Sequence, residues 1–362
     1  MRNSASRCLA RCLASCLISV VTFAATAPAS AARAADWTEA LKQRIERIDA
    51  DTPGALGVYI KRLDDGQTLA YQADRPWYLA SSAKLPVAIA LLQEVEQGRL
   101  RLGDRAVVQE TDKVDGSGAV VWQKNGTSYT LKALLKRMLM ESDNTAANML
   151  IRSIGEDRLN EHARDYLGAE GLGRLTNFTA VRYDVYAEVH PSARRLGNMD
   201  LVRVAGAPLG PKRFDLLVRT MGVDRGQLQA RSMEDAYARY YARRLNTAPL
   251  SSYGDMLEKL VRGQLLSAAH TRLLFTDLKY DTYDAYRLEA GLPRTVRFIH
   301  KTGTQMQRAC HMGVIEPQDG GRAAIVVATC AEGLDEHKEA GRAFEQIGRA
   351  ITETMLAGAP GR

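Results

Sequence analysis

Residues 79–92, written LASSAKLPVAIALL, constrain this chain more than any other stretch. Past Ser81 the residues are apolar nearly all round a helix, with Val87, Ile89, Leu91 and Leu92 on more than one face. Such a helix has no side to offer water and must be the buried centre of a domain. Pro86 lacks a backbone N–H and is tolerated only near a first turn, so the helix starts close to Ser81. Ser81 and Lys84 then stand one turn apart on one face at its entrance. A serine hydroxyl becomes a nucleophile when a base takes its proton. A lysine serves as that base once burial or a nearby positive charge lowers its proton affinity. The partial positive charge of a helix N-terminus favours the developing alkoxide. Alone, S-x-x-K is a common string, and its weight comes from residues further along.

The chain has 362 residues, enough for one large domain or two small ones. Arg2, Arg7 and Arg11 lead into an apolar run over residues 12–27, followed by Ala29-Ser30-Ala31 and Ala32-Arg33-Ala34 as cleavage sites. This pattern predicts a signal peptide over residues 1–34 and a secreted or periplasmic mature chain over 35–362. The run is too short to span a bilayer and no later one is longer, so no stable membrane insertion is expected. The net charge is +7, but Arg2, Arg7, Arg11 and Arg33 precede the first acid, and removing those four leaves +3. A nucleic-acid partner is not supported by so small an excess.

Three of five cysteines lie in the leader, leaving Cys310 and Cys330 for an oxidising compartment. Residues 309–316 and 323–330 read as strands about Pro317-Gln318-Asp319-Gly320-Gly321. Folding that hairpin about Gly320 sets the two cysteines opposite one another, which predicts a cross-strand disulfide; two free buried thiols are the alternative. Two cysteines lack the clustered partners of a metal site, and no metal or cofactor is expected.

Residues 36–50 carry Trp37, Leu41, Ile45 and Ile48 at helical spacing. Residues 56–62 and 67–72 read as strands joined at Asp64-Asp65-Gly66. Residues 100–122 are loop-rich, with Gly116-Ser117-Gly118. Thr130 reads as the cap of a helix over 131–140, which ends at Ser142-Asp143-Asn144, and another begins near Thr145. Residues 155–245 show only helical patches, at 215–220 and 234–244, and much arginine. Clear structure resumes with a helix over 250–262, a strand over 296–304, the two cysteine-bearing strands and a helix over 333–355. The fold class is therefore α/β (α+β): a five-stranded antiparallel sheet built from both ends and flanked by helices, with a mostly helical second lobe. A cleft between lobes is the natural site.

Ser81-x-x-Lys84, Ser142-Asp143-Asn144 and Lys301-Thr302-Gly303 occur in the order S-x-x-K, S-D-N and K-T-G. Together with the flanks MxxxSDNTAANMLI and HKTGT, they resemble the serine β-lactamase and D,D-peptidase superfamily, class A β-lactamases above all. The resemblance covers about residues 40–180 and 245–355. It implies a β-lactamase/transpeptidase-like fold, with a sheet lobe at about 36–100 and 285–362. The helical lobe would span about 101–284, with an insertion at about 180–245. By resemblance, Ser81 attacks a β-lactam amide, Lys84 takes its proton, and Ser142 relays a proton to the leaving nitrogen with help from Lys301. Asn144 would hold the substrate's side-chain amide and the Lys84 ammonium, while Lys301, Thr302 and Thr304 bind a carboxylate. The backbone N–H groups of Ser81 and Thr304 would form the oxyanion hole. The implied partner is a small-molecule β-lactam or a peptidoglycan stem peptide, and the implied state a monomer. Taken singly, Asp143-Asn144 also fits a helix cap, and Lys301-Thr302-Gly303 an edge strand ending in a turn. His300 reads as a strand residue and Asp143 as structural.

Two departures from class A stand out. Its deacylating glutamate lies in an E-x-x-L-N string on an Ω-shaped loop. Here that string is Glu156-Asp157-Arg158-Leu159-Asn160, only 14 residues past Ser142, where the family opens a helix, and it reads as a decoy. Counting from Arg174-Leu175 puts Asn177, Phe178 and Thr179 near the glutamate's place, so no acid stands there. Asp184 and Glu188 are the nearest downstream candidates for a deacylation acid, with exposed loop carboxylates as the alternative. The second departure is length: the surplus between the second and third boxes falls at about 180–245, beside the cleft, positioned to reshape it, cover it or dock a partner. The leading expectation is a secreted class A-type serine hydrolase. A D,D-carboxypeptidase or penicillin-binding protein is the alternative, and a slowly deacylating or non-catalytic β-lactam-binding module the third reading.

Overall fold

The structure is a computed structural model that describes residues 29–278, 285–318 and 321–356. Residues 1–28, which carry most of the expected leader, lie outside the described residues, as do Asp319 and Gly320 of the hairpin turn. The first elements in chain order are α1 (Ala29–Ala50), β1 (Ala55–Arg62), β2 (Thr68–Tyr71), β3 (Pro76–Tyr78) and α2 (Lys84–Glu96). Next come β4 (Arg105–Val107), β5 (Ser128–Thr130), α3 (Leu131–Met140), α4 (Asn144–Ile154) and α5 (Glu156–Leu167). Then follow α6 (Phe178–Val189), α7 (Asn198–Ala205), α8 (Pro211–Met221) and α9 (Met233–Ala242). The chain closes with β6 (Thr247–Pro249), α10 (Leu250–Val261), α11 (Ala268–Asp277), β7 (Phe298–Gln305), β8 (Arg308–Ile315), β9 (Ile325–Glu332) and α12 (Lys338–Ile351).

Period-two alternation sorts the sheet's side chains onto two faces. The sheet is antiparallel in the order β2-β1-β9-β8-β7, so both ends of the chain build it. Leu56, Val58, Ile60, Phe298 and Val327 face a core shared with Trp37, Leu41 and Ile45 of α1 and Phe344 and Ile347 of α12. Tyr59, Met312, Val314, Val326 and Ala328 face the other way, onto the helices of the second lobe. Cys310 and Cys330 are directly paired in the β8–β9 register and joined as a disulfide on this inner face.

The apolar helix is α2, at the centre of the inner core with every residue from Lys84 to Leu92 buried. Its first turn differs from the simplest sequence reading: a 3-10 turn, Ala80–Ala83, carries Ser81, and the α-helix begins at Lys84. Pro86 cannot donate to the carbonyl of Ser82, and the Tyr253 hydroxyl donates there instead at 2.9 Å. The closing helix begins at Lys338, five residues later than expected, and the loop-rich 100–122 stretch contains β4, paired with β5.

The stretch that read only as patches holds five helices, α5 to α9. Helices α6–α9 enclose a core of their own: Val185, Tyr186 and Val189 pack with Leu201, Phe214, Leu217, Met233, Tyr237 and Tyr240. This core reaches the rest of the protein through Tyr78, Ala80 and Met306, which are part of it.

Candidate active site

Two residues in the left-handed backbone region place the first two boxes. Ala80 has φ +47° and Ser142 has φ +55°. Such non-glycine positions cost about 1–3 kcal/mol each and persist where surrounding contacts over-determine them. Ala80 turns the chain into Ser81. Ser142 sits between the end of α3 and the cap of α4. Asp143, buried, fixes that junction: its Oδ1 accepts from Ala146 N at 2.8 Å and its Oδ2 from Val120 N at 2.9 Å. Gly118 makes room, because a Cβ there would lie 2.1 Å from the Asp143 carboxyl carbon. The reading of Asp143 as structural thus has a geometric basis.

Lys84 Nζ lies 3.1 Å from Ser81 Oγ, 3.1 Å from Ser142 Oγ, 2.5 Å from Ser142 O and 2.6 Å from Asn144 Oδ1. Burial pushes the Lys84 amine well below its ordinary value, and the nearby charge of Lys301 lowers it further, against a smaller opposing effect of Asp143. Ser142 O and Asn144 Oδ1 can only accept, so each takes an N–H of the amine, and Nζ stays within reach of both hydroxyls. The Phe178 ring, centred 4.6 Å from Nζ, closes this side of the amine.

Lys301 Nζ donates to Ser142 Oγ at 3.1 Å and to Thr302 O at 3.0 Å. The Ser142 hydroxyl therefore bridges the two lysines. Strand β7 ends the sheet, and its free edge runs beside the turn that carries Ser81. Gly303 permits this approach: a Cβ there would lie 2.3 Å from Leu79 O and 3.1 Å from Ser82 N. Arg287, fully buried and not signalled by any motif, secures the strand. Its Nη1 donates to Gly303 O and Cys310 O at 3.0 and 2.9 Å, and its Nη2 to Thr304 Oγ1 at 2.9 Å.

Ser81, Asn144 and Thr304 open on one cleft of about 420 Å³, which Gly116, Ser117, Trp122 and Phe178 also line. Asp184 and Glu188, the downstream candidates for a deacylation acid, do not line it. They are not exposed loop residues either: both lie on α6, where Asp184 pairs with Arg194 at 2.8 Å and Arg243 at 3.1 Å, and Glu188 lies 4.0 Å from Arg243. Glu156 and Asn160 tie down the chain before α6. Glu156 Oε1 accepts from Asn177 N and Nδ2, and Asn160 Oδ1 accepts from Leu175 N. Among the described residues, Asp115 is the one carboxylate lining the cleft, and Arg182 donates to both its oxygens, at 2.7 and 2.6 Å. His300 lies on β7 with its Nδ1 2.9 Å from His311 Nε2, and both rings are buried.

A serine beside a buried amine whose proton affinity is lowered, with a second serine shared by two lysines, is the equipment of an active-site-serine acyl-transfer protein. The sequence matches the β-lactamase enzyme family over residues 40–355, and the chain belongs to that family. β-Lactamase CTX-M-8 of Citrobacter amalonaticus is 32% identical over 291 residues, 80% of this chain and 80% of that one. Other matches are shorter: the chain spans about half the length of relatives such as β-lactamase Toho-1 of Escherichia coli, 32% identical over 142 residues, which is 39% of this chain and 48% of that one. Among solved structures, that of PBP-A superposes with a TM-score of 0.65 at 19% identity, covering 88% of this chain and 97% of that one, and so shares the fold.

Proposed function

We propose that this protein is an exported serine hydrolase that opens β-lactam amides through an acyl-enzyme on Ser81. The observation that carries this reading is the buried Lys84 Nζ, 3.1 Å from Ser81 Oγ and anchored by Ser142 O and Asn144 Oδ1. Ser81 Oγ attacks the lactam carbonyl carbon while its proton passes to Lys84 Nζ. The backbone N–H groups of Ser81 and Thr304 would receive the developing oxyanion. As the C–N bond breaks, Ser142 gives its proton to the leaving nitrogen and takes one from Lys84, with the Lys301 charge alongside. Lys301, Thr302 and Thr304 would hold the substrate carboxylate, and Asn144 its side-chain amide. Export rests on the arginine-led apolar leader and on the disulfide, which suits an oxidising compartment.

One observation favours a second reading. Among the described residues the cleft's one carboxylate, Asp115, is held by Arg182, so no carboxylate there is free to activate water. That favours a long-lived acyl-enzyme, as in a penicillin-binding protein or D,D-carboxypeptidase. Intact-mass measurement with benzylpenicillin, run beside turnover of a chromogenic cephalosporin, separates the two. A Ser81 adduct with steady turnover supports the hydrolase. A persistent adduct, or D-alanine release from a pentapeptide mimic, supports the second reading. Neither adduct nor turnover nor D-alanine release overturns both.

A further inference from the structure

We propose that Arg213, on the inserted wall of the cleft, forms a subsite for a carboxylate on the acyl side of the substrate. This rests on the acyl-transfer reading above. Outside the three boxes, three charged side chains line the cleft: Asp115, Arg182 and Arg213. The first two neutralise each other, and the third guanidinium edge of Arg182 is spent on the Tyr237 hydroxyl at 2.6 Å.

Arg213 is held differently. Its Nε donates to Ala207 O at 3.0 Å and its Nη2 to Ala205 O at 2.7 Å and Ala207 O at 2.8 Å. Among the described residues it joins no ion pair, and its Nη1 has no partner. One edge of the guanidinium is thus fixed by the turn between α7 and α8, and the rest is half-exposed at the cleft. A fork immobilised before the ligand arrives loses little freedom on binding, and its planar donors match a carboxylate.

The position fits the acyl side. Asn144, expected to hold the side-chain amide, donates from Nδ2 to Asp115 O at 2.7 Å. The wall continues from there through the Asp115–Arg182 pair to Tyr237. Tyr237 shares a core with Phe214, the residue after Arg213, and Arg182 and Arg213 line the same cleft, which puts Arg213 in this neighbourhood. The carboxylate expected at Lys301 lies on the sheet side, so Arg213 offers a place for a second anion across the cleft.

Second-order acylation rates at Ser81 test this with benzylpenicillin, its α-carboxy analogue carbenicillin and its α-amino analogue ampicillin. A parallel arm uses D-Ala-D-Ala peptides whose preceding residue carries or lacks a side-chain carboxylate. The wild-type protein should prefer the carboxy member of at least one series. In Arg213→Gln the ratio of carboxy to neutral substrate should fall about tenfold, the effect of one hydrogen bond to a charged group, and Arg213→Lys should restore part of it. Preference in the lactam arm assigns the subsite to lactam side chains, and preference in the peptide arm to a stem-peptide residue. Acylation by all members without any preference in the wild-type protein overturns the subsite while leaving the acyl-transfer reading intact. Equal loss on every substrate in Arg213→Gln also overturns it. Failure of benzylpenicillin to acylate Ser81 at all removes the acyl-transfer reading and this subsite with it.

Discussion

The boxes and helices α6–α8 line one cleft by opposite means. On the box side the polar groups are buried and satisfy one another: Lys84 and Asp143 have 0% and 1% exposure. The backbone there takes left-handed turns at Ala80 and Ser142. On the side of α6–α9 the helices are ordinary. Side chains of Asn177 and Ser232 cap α6 and α9, apolar faces meet in a separate core, and Asp184 of α6 pairs with Arg243 beyond α9. Chemistry asks for positions fixed to a fraction of an ångström, whereas a wall asks only for bulk and shape.

Ser81→Ala should test the box side most severely, abolishing both the penicillin adduct and turnover; any remaining adduct in the mass spectrum would place the nucleophile elsewhere. Lys84→Met should slow acylation by roughly 10²–10⁴-fold, the usual contribution of a general base. A related pH test uses Lys301→Gln. Lys301 lowers the Lys84 pKa, so its removal should raise that pKa and leave less free amine near neutrality. The acid limb of the acylation profile should move to higher pH, and a limb that stays put would exclude Lys84 as the base. Where the two sides meet, Asp115→Asn strands the Arg182 charge and should cost about 3–5 kcal/mol in urea unfolding. The double variant Asp115→Leu, Arg182→Met should cost less than Asp115→Asn alone, and a larger cost would mean that the pair is not what joins the walls. Replacing both Cys310 and Cys330 with alanine should cost ~3 kcal/mol, measured the same way. The smallest expected effect is on adduct lifetime: Phe178→Glu sets a carboxylate beside Lys84 and should shorten it by roughly tenfold or more. An unchanged lifetime would show that something other than a missing base limits deacylation.

The same contrast explains what could be read from the sequence. The sheet was legible because β1, β8 and β9 are short, largely apolar runs bounded by turn residues, and the symmetry of Cys310 and Cys330 about Gly320 set a register. The boxes were legible because nucleophile, base and relay admit few residue types. Helices α6–α9 were not, since their buried tyrosines and alanines dilute the apolar period: Ala236, Tyr237 and Tyr240 line the buried face of α9. Arg287 was missed because a single arginine on a 3-10 turn carries no pattern, although it anchors Gly303 and Thr304. Asp115 and Arg182 were missed because they lie 67 positions apart, and only the fold makes them a pair.

Gly303 has a consequence for how such a protein can change. With Leu79 O and Ser82 N already where a methyl group would sit, the nucleophile's turn and the strand beside it form a fixed jaw. A bulkier ligand has to be accommodated by the opposite jaw, around Val202, Gly206 and Arg213. Laboratory selection for new substrates should therefore collect its changes between residues 198 and 215 before it touches residues 299 to 304.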